Sequence, residues 1–165
     1  MTAPATAGLE VRRVAIDDRL VEPLLRELTE EYVSRYGEGA REEMARYPKD
    51  AFREPQGVLL LLLEDGEPVA GGAFRRYDED TAELKRVWTA SGHRRRGLAR
   101  RVVAELEAAA VTAGYRRAYL TTGPRQPEAK GLYLATGYTP LFDVSADPLT
   151  VGPLAFEKHL AATSH

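Results

Sequence analysis

The residues best suited to chemistry cluster at Arg94-Arg95-Arg96-Gly97-Leu98-Ala99, followed by Arg100 and Arg101. The segment falls between a strand pattern and an amphipathic helix pattern. A turn placed there leaves main-chain N–H groups unpaired and aimed at one spot, with the positive end of the helix dipole behind them. Such a turn binds phosphate. Gly97 lets an anion approach the backbone with no Cβ in the way, and Ala99 is the next smallest choice. Arginines add charge-assisted hydrogen bonds to phosphate oxygens. The same residues also suit an ordinary helix start with a solvated basic face, and the segment alone does not choose between the two.

Charge patterning narrows the ligand. The 165-residue chain has a net charge of −2, yet no carboxylate occurs from Leu84 to Ala104. The five arginines of Arg94 to Arg101 leave −7 on the remainder. A local basic patch on an acidic body suits a compact anion better than a nucleic acid gripped over a wide face. The stretch Gly92 to Arg101 also lacks an aromatic residue on which a base could stack. Arginine outnumbers lysine 19 to 4 throughout, so the clustering is informative and the preference for arginine is not. Cysteine is absent, which excludes disulfides, thiolate metal sites and a cysteine nucleophile. The three histidines, His93, His159 and His165, are not at metal-ligand spacing. The longest apolar run, Val58 to Leu63, is six residues, far short of the ~20 of a membrane helix. No secretory signal is visible at Met1 to Glu10. A soluble cytoplasmic domain with no metal, no nucleic acid and no membrane partner is the expectation.

The elements that must position this segment follow from periodicity. Leu9, Val11, Val14 and Ile16 suggest a strand, and Asp17 and Asp18 suit a helix cap. Leu20, Leu24, Leu25, Leu28, Tyr32 and Val33 recur at helical spacing up to Gly37 and Gly39. A shorter helix fits Arg41 to Tyr47, closed by Pro48. Val58 to Leu63 predicts a strand buried on both faces, and Glu64 to Glu67 a turn. Pro68 to Tyr77 and Thr81 to Thr89 complete a meander, with Gly71-Gly72 marking a bulge or bend. A helix runs from Leu98 to near Gly114, a strand from Ala118 to Thr121, and a helix from Pro127 to Thr136. Final strands are expected at Tyr138 to Val144 and Leu154 to His159. The order predicts a mixed α/β (α+β) domain on one central sheet.

Two segments carry a family resemblance. Arg94, Gly97 and Ala99 fill the fixed positions of motif A of the GNAT superfamily, the acyl-CoA-dependent N-acetyltransferases. Gln126 to Tyr138, with Ala129, Leu132, Tyr133 and Gly137, is similar to its motif B, with Gln126 in place of Asn and Tyr138 in place of Phe. The resemblance covers about Val58 to His159.

The resemblance implies a mostly antiparallel sheet splayed between its fourth and fifth strands, with acetyl-CoA (CoA) as co-substrate in the gap. Backbone groups of Val87, Trp88 and Thr89 would pair with the pantetheine arm, and the amide near Val87 would polarise the thioester carbonyl. The pyrophosphate would rest on the Arg94-Arg95-Arg96-Gly97-Leu98-Ala99-Arg100 turn, with Gln126 and Ala129 on the cofactor's other side. Tyr133 would protonate the leaving thiolate; the alternative is a tyrosine packed on the sheet. Glu83, eleven residues before Arg94, would be the general base, directly or through a water; the alternative is a carboxylate paired with Lys85 or Arg86. Simple strand parity sets Glu83 on the face of Val87 and Thr89, unless a bulge reverses it. Trp88 reads as a packing residue, and His93 as a loop or cofactor-proximal one.

The acceptor is expected over the first two helices. Asp17 to Asp50 holds ten carboxylates and six basic residues besides Tyr32, Tyr36 and Tyr47. That is either an acidic wall for an amine or a solvated helix face, and the loop Asp143 to Gly152 would add to the pocket. The expected activity is acetyl transfer from acetyl-CoA to a primary amine of a small molecule or peptide within a ternary complex. The alternative is a non-catalytic acyl-CoA-binding or sensing module. Residues 9–160 are expected to form one GNAT-like domain between tails at 1–8 and 161–165, and a homodimer is left open because relatives are often dimers.

Overall fold

A computed structural model describes residues 8–45 and 49–160. Of the tails expected at 1–8 and 161–165, residues 1–7 and 161–165, with His165, lie outside these residues, as does the predicted helix end at Tyr47 and Pro48. Seven strands form one sheet: β1 (Glu10–Arg13), β2 (Val58–Glu64), β3 (Glu67–Arg76), β4 (Thr81–Thr89), β5 (Arg117–Thr122), β6 (Thr139–Pro140) and β7 (Leu154–His159). Their spatial order is β1-β2-β3-β4-β5-β7-β6. All neighbours are antiparallel except β4 and β5. The helices are α1 (Glu22–Tyr36), α2 (Gly39–Ala45), α3 (Leu98–Thr112), α4 (Pro127–Ala135) and α5 (Pro148–Val151).

The apolar run of β2 explains the layering. Val58, Leu60 and Leu62 pack with Val102, Val103 and Leu106 of α3 and Tyr133 of α4. Leu59, Leu61 and Leu63 pack with Leu24 and Leu28 of α1 and with Val21. A strand covered on both sides has no polar alternation. Each buried leucine contributes about 1.5–3 kcal/mol over an exposed one.

Asp65 and Gly66 adopt φ of 53° and 82° in the β2–β3 turn, the left-handed pair that a two-residue hairpin requires. Asp18 accepts a hydrogen bond from the Leu20 amide at 2.9 Å and so caps the short 3-10 turn Arg19–Val21 that leads into α1.

Two expectations are corrected. The strand predicted over Tyr138 to Val144 is regular only at Thr139–Pro140. One further bond joins the Leu141 amide to Ala155 O, after which Asp143 accepts from the Ser145 amide at 2.9 Å and turns the chain. The loop Asp143 to Gly152 contains the short helix α5, capped by Asp147 through the Leu149 amide at 3.1 Å. The first strand is also shorter than its pattern. It ends at Arg13, because Asp18 N–H bonds Ala15 O and bends the chain toward α1.

Candidate active site

The sheet is forked. Strands β4 and β5 pair only at Thr81–Arg117, Ala82–Ala118 and Glu83–Tyr119. Beyond that, β4 stays on β3 through Gly71–Trp88 and Ala70–Thr89, while β5 stays on β7 out to Thr122–Leu154. Two facing strand edges are therefore unpaired from Lys85 onward. The backbone of Val87, Trp88 and Thr89 lies on one of them, where an extended ligand could add as a strand.

A bulge sits at the fork. Ala73 pairs with Lys85 and Gly71 with Trp88, so Gly72 opposes both Arg86 and Val87. Arg86 takes up the extra residue at φ 60°. This reverses the simple parity. Val87 packs into the α3 layer with Ala82 and Leu84, whereas Trp88 packs into the α1 layer with Ala73. Glu83 lies opposite Arg75 and beside Lys85, on the α1 side, and so does not share the face of Val87. The Gly71-Gly72 signal is accounted for by close approach as well. A Cβ on Gly71 would meet Leu60 O at 2.8 Å, and one on Gly72 would meet Val102 and Leu106 side chains at 2.9 and 3.0 Å.

The arginine segment makes the predicted turn. Arg95 and Gly97 have φ of 65° and 75°, so left-handed residues bracket Arg96 and turn successive amides inward. The first helical bond of α3 is Arg101 N–H to Gly97 O at 3.2 Å. Among the described residues the amides of Gly97, Leu98, Ala99 and Arg100 have no protein acceptor, and no side chain caps the helix. A Cβ on Gly97 would meet nothing within 4 Å, leaving room for an anion there. The arginines divide their work. Arg96 holds Glu64 of β2 at 2.5 Å and lies 2.7 Å from His93 Nδ1, which places His93 in a loop-bracing cluster. The Arg96 guanidinium holds the Glu64 carboxyl below its ordinary pKa. Arg94, Arg95 and Arg100 are exposed.

Tyr133 projects from α4 into the core beside Tyr138 and Phe156, with its ring 6% exposed. Its hydroxyl has no hydrogen-bond partner among the described residues. No fully buried side-chain polar atom there lacks a partner, so the hydroxyl is not completely sealed in the core. Burial, assisted by Tyr32, pushes the Tyr133 phenol well above its ordinary pKa. Gln126 ties two elements together. Its Oε1 accepts from the Gly123 amide at 3.0 Å and from the Tyr36 hydroxyl at 3.3 Å. The Arg125 amide donates to Tyr36 Oη at 3.1 Å, and Arg35 bridges Glu31 and Glu128 at 3.0 and 2.7 Å. The end of α1 is thus pinned to the β5–α4 loop. Gly123 accommodates Tyr36 because any Cβ there would strike its hydroxyl. Ala129 is half-buried against the core beside Tyr133.

Glu83 is 5% exposed at the last β4–β5 pair. One oxygen lies 2.7 Å from Arg75 Nε, the other 3.7 Å from Lys85 Nζ. Lys85 is one of the two partners anticipated for it, whereas Arg75 was not anticipated. Trp88 is a packing residue, 4% exposed, whose indole N–H donates to Glu27 of α1 at 3.0 Å.

On the α1 side the fork opens into a cleft of about 450 Å³, walled by Tyr32, Tyr36, Lys85, Arg86, Thr121 and Gln126 among others. No carboxylate lines it among the described residues. Three of the acids counted over that stretch are engaged with other partners: Glu27 with Trp88 and Ser91, Glu31 with Arg35, Glu38 with Arg41. Sequence reasoning missed Arg86 as a cleft residue, and only the bulge reveals it. Among the described residues no group of three acidic or histidine side chains could hold a metal, and no helix is long and apolar enough to cross a membrane.

The sequence profile of the Acetyltransferase (GNAT) family matches residues 22–138. The chain is 32% identical over 107 residues to the uncharacterized N-acetyltransferase YsnE of Bacillus subtilis (strain 168), covering 62% of this chain and 71% of that one. The putative acyl-CoA N-acyltransferase of Klebsiella pneumoniae subsp. pneumoniae MGH 78578 superposes with a TM-score of 0.73 at 24% identity, over 94% of this chain and 99% of that one. The PaiA N-acetyltransferase of Thermoplasma acidophilum, solved in complex with coenzyme A, superposes at 0.71 and 16% identity, over 92% and 99%. The chain belongs to the GNAT acetyltransferase family. It is an acyltransferase of that family, with a CoA-based co-substrate.

Proposed function

We propose that this protein transfers an acetyl group from acetyl-CoA to a primary amine, by direct attack within a ternary complex, and that residues 9–160 form the one domain that does so. The observation that carries the reading is the fork: an unpaired strand edge at Val87 to Thr89 runs from the amides of Gly97 to Arg100 toward the cleft below Lys85 and Arg86. The pyrophosphate sits on the Arg94 to Arg100 turn, Gln126 and Ala129 flank the donor, and the thioester lies beside the Val87 amide. The α1-side cleft takes the acceptor. Its volume lies within the range of small-molecule sites, which favours a small amine over a protein surface.

Three chemical needs have candidate groups. An alkylammonium has a pKa near ~10 and must lose a proton before it attacks. Glu83, on the acceptor side of the sheet, is the base, acting through a water because both its oxygens are held by cations. The nitrogen lone pair forms the new C–N bond, and the displaced carbonyl electrons collect on an oxygen that the Val87 amide stabilises. Collapse breaks the C–S bond, and the Tyr133 hydroxyl protonates the departing sulfur. Burial favours the neutral phenol, so this donor stays protonated throughout the neutral range. Its otherwise unused hydroxyl favours catalysis over a sensing module, which would not need it.

The test is thiol release from acetyl-CoA with and without an amine panel. Release should require an amine. Tyr133→Phe should lower kcat by roughly 10²-fold while CoA affinity stays within about twofold. Tight donor binding with no release across the panel would leave the sensing reading standing, and unchanged kcat in Tyr133→Phe would remove the tyrosine from the mechanism.

A further inference from the structure

The carboxylate of Glu27, on α1, reaches across to the end of β4. Its Oε1 accepts from the Trp88 indole N–H at 3.0 Å and from the Ser91 amide at 3.1 Å, and its Oε2 accepts from the Ser91 hydroxyl at 3.4 Å. The Trp88 side chain is buried and has one N–H to place. A buried donor left without an acceptor costs more than the bond itself contributes. Ser91 opens the 3-10 turn Ser91–His93, which has no side-chain cap of its own, so Glu27 is a cap lent by another helix. The β3 ladder ends just before it: Ala70 pairs with Thr89, and the Ala90 amide bonds Val69 O at 2.9 Å. Glu27 takes hold where the ladder stops. The segment it grips, Trp88 to Ser91, leads from the unpaired edge at Val87 to Thr89 into the turn that carries the amides of Gly97 to Arg100.

Resting on the donor site proposed above, we infer that Glu27 is a positioning residue for the donor: through Trp88 and Ser91 it fixes the spacing between the strand edge that pairs with the pantetheine arm and the turn that receives the diphosphate. A ligand held at two places binds tightly when those places stand at the separation its own chain spans, and it loses that advantage over either half alone when they do not. Reach matters here more than charge. A glutamine at this position keeps the Oε1 that accepts from Trp88 and Ser91, and its amide group can donate to Ser91 Oγ. An aspartate keeps the charge but withdraws it from both donors by one methylene. The far end of α1 is tied to the β5–α4 loop through Tyr36 and Arg35, so the same helix holds both arms of the fork.

The test uses the full chain and three probes: acetyl-CoA, ADP as its diphosphate half and S-acetylpantetheine as its thioester half. Dissociation or inhibition constants are measured for each, beside a melting curve for every variant. Glu27→Ala and Glu27→Asp should each weaken acetyl-CoA by about tenfold or more, while the constants for ADP and S-acetylpantetheine move by less than about threefold. Glu27→Gln should hold acetyl-CoA within about threefold of the wild type. Should Glu27→Ala fail to fold, Glu27→Asp and Glu27→Gln decide the matter between them. A purely structural role would lower Tm and leave the acetyl-CoA affinity of the folded variants unchanged, and that result would overturn the inference alone. So would a loss equal for the intact donor and its halves, or a Glu27→Asp protein that binds like the wild type while Glu27→Gln does not. A wild-type protein that binds none of the three probes would overturn the donor site itself.

Discussion

At the scale of single residues, Glu83 and Arg96 illustrate how pairing assigns work within a charged cluster. Arg96 is paired with Glu64 at the end of β2, so it braces the loop whose main chain is proposed to meet the donor. Glu83 stands at the last rung before the strands part, gripped by Arg75 and Lys85. If it accepts the amine proton, Glu83→Gln should lower kcat at neutral pH by 10-fold or more. Activity should recover as pH rises toward the amine's own pKa of ~10, where free base is abundant. A pH–rate profile of Glu83→Gln parallel to that of the wild type would exclude the role. The family resemblance singles out Glu83 by its spacing to Arg94, but the sequence did not reveal its face. One inserted residue in β4 turns every later side chain over, and nothing at Arg86 announces a left-handed residue.

At the scale of elements, the turn into α3 is the feature most fully written in the sequence. Gly97, the absence of acids and the apolar stripe of α3 each point to the same place. The helix has no side-chain cap, and the groups that a cap would satisfy are left for a ligand. Gly97→Asp should therefore abolish donor binding by titration calorimetry, since a carboxylate would stand where phosphate belongs. Because a Cβ there meets no protein atom, the fold should survive with a loss of about 1–2 kcal/mol from the left-handed backbone. An unaltered affinity in a folded Gly97→Asp protein would displace the phosphate site. The short elements were least legible. Two residues of β6 and one turn of α5 are set by local side-chain bonds at Asp143 and Asp147, which leave no periodicity to read.

At the scale of the whole molecule, the sheet is two half-sheets joined by a three-residue parallel pairing and the α3 crossover. A ligand lying in the gap supplies the missing ladder, so it favours the folded state by mass action. Thermal stability should rise with CoA concentration, by about 1.4 kcal/mol for each tenfold excess over Kd. A melting curve indifferent to CoA would contradict binding in the fork. The overall order of strands and helices was readable because β2, α1 and α3 carry strong patterns that agree with one another. The cleft proposed for the acceptor was not readable, since it joins residues from α1, α2, β4 and β5 whose charges in sequence say little about which of them face one another. The link between α1 and the β5–α4 loop has an engineering consequence. Tyr36 belongs to the proposed acceptor wall, yet its hydroxyl shares Gln126 with the proposed donor side, and Arg35 ties the same helix to Glu128. The two half-sites are therefore not separable modules: a transplant of α1 from a cousin, made to change which amine is accepted, would also redraw the pocket for the donor.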